Sequence, residues 1–166
     1  MEKKWAVLGF ARHGKDTVAS LLQELLPTLR FCSSSEFVME KAVWPILQPK
    51  YGYETKQQCF EDRINHRAEW YQLITGYNSP DKSKLASELL EENDIYVGLR
   101  SREELLACKE KNLFDVILWV DRSKHVAPET EASCTIRPTD CDYIIDNNDS
   151  LEETMKQLKL VLRVVE

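Results

Sequence analysis

Five short apolar runs along the chain are typical of buried β-strands. They lie at residues 4–8, 29–32, 95–99, 116–120 and 143–145. The run at 116–120 is apolar at every position, as in strands that are covered on both faces. The pattern therefore predicts five strands separated by longer polar and amphipathic stretches.

Helical spacing of apolar residues fills the intervals between these runs. The stretch from Lys15 to Leu26 has apolar residues three and four positions apart and stops before Pro27. Further helices are predicted for residues 36–47, 56–77, 82–92, 102–111 and 151–165, the second of these with or without a kink. Serines at 33–35, 101 and 150 (or Asp149) are suitable N-caps for three of them. Strands that alternate with helices favour an α/β fold, a five-stranded parallel sheet with helices on both faces.

The length of 166 residues and a hydrophobic content of 43% indicate a single domain, residues 1–166, with a substantial core. Two segments depart from the regular alternation of strands and helices. The stretch at residues 50–92 is predicted as a helical insertion. The segment at residues 122–140 is polar, contains Pro128 and Pro138, and is predicted as a short lid.

Charge and cysteine content narrow the class of protein. The net charge of −6 lacks the general basic footprint of a nucleic-acid-binding protein, although a local basic cleft stays compatible with it. No apolar run approaches the roughly 20 residues of a membrane span, and no signal-peptide pattern is visible. The five cysteines include no Cys-x-x-Cys pair, which argues against disulfides or a zinc site. We therefore expect a cytoplasmic protein.

A glycine-rich motif connects the first predicted strand to the first predicted helix. It reads Gly-Phe-Ala-Arg-His-Gly-Lys-Asp-Thr from Gly9 to Thr17. In this context the glycines let successive backbone N–H groups converge on phosphate oxygens, and Lys15 brings positive charge to the β and γ phosphates. The predicted ATP-binding loop consists of Gly9, Ala11, Arg12, His13, Gly14, Lys15, Asp16 and Thr17.

Oxygen ligands for Mg²⁺ are available beside this loop. Asp16 stands where the motif usually has Ser or Thr, Thr17 follows it, and Asp121 ends the fourth predicted strand. Hard cations favour such oxygens, so ATP and Mg²⁺ are the predicted cofactors. Asp16 also suits the first turn of a helix, and Asp121 also suits a strand-end cap.

The run Gly14-Lys15-Asp16-Thr17 resembles the phosphate loop of phage-type deoxynucleoside monophosphate kinases, within the thymidylate-kinase-like P-loop kinases. The segment from Cys141 to Glu153 is similar to one that this group shares with dephospho-coenzyme A kinases. The resemblance implies a P-loop kinase fold with an arginine, here Arg100, that points into the site. It also implies that Asn147 and Asn148 lie against the nucleotide base.

An acceptor site is predicted in the helical insertion. Arg63 and Arg67 are four residues apart, so they would share one helix face and grip a phosphate with two guanidinium groups. Trp70 would stack on a base. A solvated arginine face, with counter-charges nearby, is the alternative. Weaker candidates for contacts with the base are Asn65, Tyr77 and Asn78.

Four residues are predicted to act in catalysis: Lys15, Arg100, Glu36 and Arg122. Glu36 follows the second strand, where a carboxylate would face the acceptor hydroxyl, or simply suit a helix N-terminus. Arg122 opens the lid, where positive charge would stabilise the transferring phosphoryl group. For Arg100 and Arg122, ordinary surface ion pairing is the alternative.

The phosphate loop predicts an ATP-dependent phosphotransferase, and the resemblance implies that it moves the γ-phosphoryl group of Mg-ATP to a deoxynucleotide, most simply a deoxynucleoside monophosphate. One alternative is a phage kinase that phosphorylates 5-hydroxymethyluracil in DNA during thymidine hypermodification. Others are a dephospho-coenzyme A kinase-like enzyme and a nucleotide-binding NTPase or regulator without an acceptor. The expected partners are ATP and the deoxynucleotide, or modified DNA under the first alternative, and no membrane. A homodimer is compatible with the sequence, and a phage-encoded protein would act in the host cytoplasm.

Overall fold

Five parallel strands form the centre of the protein, whose computed structural model describes residues 1–166. The strands are β1 (Trp5–Leu8), β2 (Phe31–Ser33), β3 (Ile95–Val97), β4 (Val116–Asp121) and β5 (Tyr143–Asp146). Their order across the sheet is β2-β3-β1-β4-β5, and every neighbouring pair is parallel. The predicted α/β fold with a five-stranded parallel sheet is therefore confirmed. Only the strand ends differ, since β2 begins two residues later and β3 ends two residues earlier than predicted.

Eight α-helices surround or extend from this sheet. They are α1 (Lys15–Leu25), α2 (Ser34–Val38), α3 (Trp44–Tyr51), α4 (Lys56–Glu61), α5 (Arg67–Tyr77), α6 (Lys84–Glu92), α7 (Arg102–Glu110) and α8 (Leu151–Val165). A π-helical turn at Met39–Val43 joins α2 to α3, and 3-10 turns occupy Asp62–Asn65 and Pro138–Asp140. The N-caps of α2, α7 and α8 are Ser33, Ser101 and Ser150, each of whose side chains accepts a backbone N–H bond. None of these helices has the length and apolar character that crossing a bilayer requires.

Apolar side chains cover both faces of the sheet, because successive strand residues point in opposite directions. On one face, Trp5 and Val7 of β1 pack with side chains of α1 and α8 such as Leu22 and Leu158. On the other, Leu8 packs with residues of α6 and α7. Helices on both faces were predicted, and the structure confirms them.

A third, smaller core lies away from the sheet. Its residues show that the helical insertion has different bounds from the predicted 50–92. This core is built by Met39, Val43, Leu47, Cys59 and Trp70, which belong to the π turn, α3, α4 and α5. The helical unit therefore spans residues 39–77, whereas α6 packs on the sheet. The helix predicted to end at residue 47 continues through Pro49 and stops at Gly52, whose φ of +68° is left-handed.

The segment between β4 and β5 is irregular, as predicted for residues 122–140, but it is not free along its whole length. Cys134 and Ile136 are buried in the core on the α6–α7 face. The Thr135 N–H donates to the Arg100 carbonyl at 2.9 Å, and Arg102 forms an ion pair with Asp140. These contacts hold residues 134–140 against the rest of the protein, and residues 122–133 precede them.

Candidate functional site

The strand order places a natural crevice at the carboxyl end of β1. From β1 the chain continues to β2 on one side of the sheet, and from β4 it continues to β5 on the other. In parallel α/β sheets, ligands bind outside the carboxyl ends of the strands where the connections diverge in this way. The glycine-rich motif follows β1 directly and occupies this position.

Both glycines of the motif have conformations and surroundings that exclude larger side chains. Gly9 has a φ of +155°, and a Cβ added there would lie 2.6 Å from the Val120 carbonyl oxygen. Gly14 has a φ of +92°, and its added Cβ would lie 2.3 Å from Asn147 Nδ2. Arg12, between them, also has a positive φ of +63°. The loop therefore curls tightly before it enters α1, as a phosphate-binding turn requires.

His13 ties the loop to the β4–β5 segment. Its ring is completely buried, accepts the Arg122 N–H at Nδ1 over 2.8 Å, and lies 3.1 Å from the Val126 carbonyl through Nε2. These partners fit the tautomer that carries its proton on Nε2. The His13 side chain therefore faces the protein interior. If His13 contacts a phosphate, it does so through its backbone.

Lys15 lies at the first turn of α1 with its ammonium group held inside the loop. Nζ donates to the Phe10 carbonyl at 2.9 Å. Burial lowers the pKa of Lys15, the Arg100 charge lowers it further, and the nearby carboxylates of Glu129 and Asp16 oppose the shift. A partly desolvated cation of this kind interacts strongly with an incoming phosphate.

The carboxylate of Glu129, which was not predicted, lies beside the loop and beside Arg100. Glu129 accepts the Ala11 N–H at 2.8 Å through Oε2 and forms an ion pair with Arg100. Burial by itself would raise the pKa of Glu129, but the Ala11 N–H and Arg100 hold it below its usual value. Glu129 was missed because the sequence shows only an acidic residue in a charged loop, with nothing to indicate its distant partners.

The predicted metal ligands include two side chains that are free to bind. Asp16 and Thr17 are exposed in the first turn of α1, and neither side chain hydrogen-bonds to the protein. Asp121 instead accepts bonds from Ser123 Oγ at 3.0 Å and Asn148 Nδ2 at 3.1 Å. No group of three or more His, Cys, Asp or Glu residues gathers anywhere in the chain. The donor set fits Mg²⁺, which keeps several waters and binds one or two carboxylates together with phosphate oxygens.

The side chains of Asn147 and Asn148 form hydrogen bonds within the protein and are not exposed at its surface. Asn147 donates to the His13 carbonyl at 3.0 Å and accepts from Thr154 Oγ1 at 3.0 Å. Asn148 contacts Asp121, Asp146 and the Lys124 N–H. Both residues are over 90% buried. Their side chains therefore hold the loop and the strand ends in place, and the contact with a base that the resemblance implies stays a prediction.

A cavity of about 340 Å³ opens beside Arg100, between α2, α5 and the start of α7. Buried polar groups line it. Asn78 accepts the Leu85 N–H at 2.9 Å through Oδ1, which directs Nδ2 to Glu104 Oε1 at 3.3 Å. Burial raises the pKa of Glu104, whereas the Asn78 hydrogen bond and the Lys82 charge lower it. Tyr96, 2% exposed, completes this polar wall, and burial raises the pKa of its phenol.

The predicted acceptor residues do not line this cavity, and two of the reasons for choosing them are wrong. Arg63 lies in a 3-10 turn and Arg67 begins α5 after a break at His66, so the two do not share a helix face. Arg63 instead stacks on Phe60, 3.9 Å from the ring centroid. Trp70 is 5% exposed in the core of the helical unit, so it cannot stack on a ligand.

Three of the four predicted catalytic residues, Lys15, Glu36 and Arg122, do not line the cavity. Glu36 lines a separate groove of about 630 Å³ with Lys41 and Lys56. Arg122 contributes its backbone N–H to His13, and its side chain is exposed. Of the four predicted residues, Arg100 alone lines the cavity, while Lys15 lies at the loop, and the charges of both lower the pKa of Glu129.

No protein-family model matches the chain, and no curated protein matches it. The chemistry of the site must therefore be inferred from the groups that form it. Those groups are a curled loop of backbone N–H donors, two converging cations and a cavity with a polar wall.

Proposed function

We propose that this chain is a Mg-ATP-dependent phosphotransferase of the P-loop kinase type, acting on a deoxynucleoside monophosphate. The observation that carries the proposal is that Arg100 connects the loop with the cavity: it pairs with Glu129, which accepts the Ala11 N–H of the loop, and it also lines the cavity. A parallel sheet with the loop after its central strand supports the kinase fold that the resemblance implies.

Positioning and charge stabilisation account for most of the catalysis in phosphoryl transfer. The loop N–H groups and the N-terminus of α1 would hold the ATP phosphates, and Lys15 would neutralise charge on the β and γ groups. Mg²⁺, when bound through Asp16 and Thr17, supplies further positive charge to these oxygens. Arg100 would contact the phosphoryl group in transit, because it lies between the loop and the cavity.

The cavity beside Arg100 would hold the acceptor. Its volume falls within the range of about 300–1,000 Å³ that is usual for small-molecule sites. Arg100 would bind the acceptor phosphate, and the base would extend toward Glu104 and Asn78. This arrangement replaces the predicted acceptor site at Arg63, Arg67 and Trp70.

The proposal is tested by offering ATP labelled in its γ-phosphate to a panel of acceptors. The panel contains the four deoxynucleoside monophosphates, hydroxymethyl-dUMP, dephospho-coenzyme A and DNA with 5-hydroxymethyluracil. Label in a free deoxynucleotide supports the proposal, and label only in DNA or in dephospho-coenzyme A supports the corresponding alternative. Release of inorganic phosphate alone would indicate an NTPase.

We expect Lys15→Ala to reduce transfer by about 100-fold or more, the scale of losing one preorganised charge contact. Lys159→Ala is the matched control, because Lys159 is exposed on α8 and makes no hydrogen bond or ion pair. Near-normal transfer by Lys15→Ala would contradict the mechanism, as would equal losses in both variants.

A further inference from the structure

The Glu129 carboxylate occupies the place that the proposed function assigns to a phosphate group. Ala11 N–H of the loop donates to it at 2.8 Å, Arg100 pairs with it, and the Lys15 charge lies close enough to lower its pKa. These contacts come from two separate parts of the chain, the loop with the first turn of α1 and the segment after β3. All three are groups to which the proposed function gives a phosphate-binding role.

A carboxylate and a phosphate compete for such donors because both are anions that accept charge-assisted hydrogen bonds. The Ala11 N–H points at Glu129 and cannot serve a phosphate oxygen in the same place. Arg100 donates through one nitrogen to Glu129, and this ion pair offsets its positive charge toward a ligand in the cavity. Nucleotide binding in the loop therefore requires Glu129 to leave.

Glu129 lies in a short segment between two anchored residues, so this segment can move while the rest of the chain stays fixed. Before it, Val126 is held through its carbonyl by His13. After it, Cys134 is buried in the core. The residues between these anchors, 127–133, are mostly exposed. Apart from Glu129, they are held by a turn in which the Ser133 and Cys134 N–H groups donate to the Thr130 carbonyl, and by the exposed Glu131–Arg137 ion pair. A local rearrangement of seven residues is enough to withdraw the carboxylate.

We propose that Glu129 is an internal competitor of the nucleotide, an inference that rests on the proposed function. It closes the loop in the nucleotide-free chain, and ATP displaces it and thereby frees Arg100 for the acceptor. Two consequences follow. The apparent affinity for ATP is lower than the open loop alone would give, because only the open fraction binds. ATP and acceptor bind with positive coupling, because the first ligand releases a group that the second one needs.

Glu129→Gln separates charge from shape, since glutamine keeps the size and one acceptor oxygen but cannot form an ion pair with Arg100. We expect this variant to bind ATP and inorganic triphosphate about tenfold more tightly by titration calorimetry, as a shift of the loop to its open form predicts. Glu131→Gln is the matched control, because Glu131 lies in the same segment and pairs only with Arg137. Its affinity should equal that of the wild type.

The coupling gives a second, independent readout. A non-hydrolysable ATP analogue should tighten binding of the deoxynucleoside monophosphate to the wild type and should have little effect on Glu129→Gln. Unchanged or weaker ATP binding by Glu129→Gln, in an enzyme whose wild type transfers phosphate, would overturn this inference and leave the proposed function standing. If neither wild type nor Glu129→Gln binds ATP or triphosphate, both the inference and the proposed function are wrong.

Discussion

Glu104 and Glu103 show how differently two adjacent carboxylates are used. Glu103 is exposed and pairs with Lys82. Glu104 turns toward the cavity and receives the Asn78 amide, and burial raises its pKa while the Asn78 hydrogen bond and the Lys82 charge oppose that shift. Asn78 is only a weaker candidate from the sequence, and Glu104 is not among the predicted site residues. Neither residue type nor spacing shows that residues 26 positions apart share one polar wall.

The hydrogen-bonding character of Glu104 leads to a prediction about base preference. An ionised carboxylate accepts from the amino groups of cytosine and adenine, whereas a glutamine side chain also donates to the carbonyl groups of thymine and uracil. We expect Glu104→Gln to shift kcat/KM toward the carbonyl-bearing bases by about tenfold, or about 1.4 kcal/mol, with KM for ATP unchanged.

Steady-state kinetics with the four deoxynucleoside monophosphates checks this shift. Glu110→Gln removes the same charge from the exposed last turn of α7 and should leave the preference unaltered. An identical base preference in wild type and Glu104→Gln would show that the base does not reach this wall.

Among the secondary-structure elements, the helix break at His66 has the largest effect on the interpretation of the site. The apolar period continues through residues 56–77, but Asp62 binds three local groups. It accepts from Tyr53 Oη and Asn65 Nδ2, each at 2.6 Å, and lies 3.0 Å from His66 Nε2. Such side-chain bonds compete with the helix and favour a turn. A hydrophobic pattern alone does not show this competition, which explains the wrong placement of Arg63 and Arg67 on one face.

A test of this break follows from the contacts of Arg63. Its guanidinium covers Phe60 and donates to the Phe60 carbonyl at 2.8 Å, so Arg63→Ala should lower the free energy of unfolding by about 1 kcal/mol. KM for the acceptor should stay at the wild-type value. Urea denaturation and kinetics measure the two quantities, with Arg67→Ala, at an exposed position, as the control. A rise in acceptor KM for both variants would restore the phosphate-gripping hypothesis.

In the whole molecule, an acidic surface surrounds a site of converging cations. The net charge is −6, yet Lys15 and Arg100 meet at the loop. The alternation of strands and helices was predicted correctly, because it depends on local pattern. The pairing of Ala11 with Glu129, 118 residues apart, depends on chain topology and was not predicted.

This charge distribution predicts how transfer responds to salt. A DNA-binding protein that neutralises 6–10 phosphates loses about 10³–10⁵ in affinity between 50 and 200 mM salt. We expect KM for a deoxynucleoside monophosphate to change by less than about tenfold over that range, since a single phosphate is bound. Single-stranded DNA containing 5-hydroxymethyluracil should not inhibit the reaction at 200 mM salt. Strong inhibition by that DNA would favour the DNA kinase alternative.

An edge-to-face contact between Phe10 of the loop and Trp119 of β4 gives the protein an intrinsic fluorescent reporter of loop occupancy. Phe10 meets Trp119 edge-to-face with ring centroids 5.0 Å apart, and Trp119 is 1% exposed. The carbonyl of Phe10 also accepts the Lys15 ammonium. Any ligand that draws Lys15 away changes the surroundings of this indole. The intrinsic fluorescence of the four tryptophans should therefore change with loop occupancy, and Phe10→Leu should reduce the part of that change that comes from Trp119.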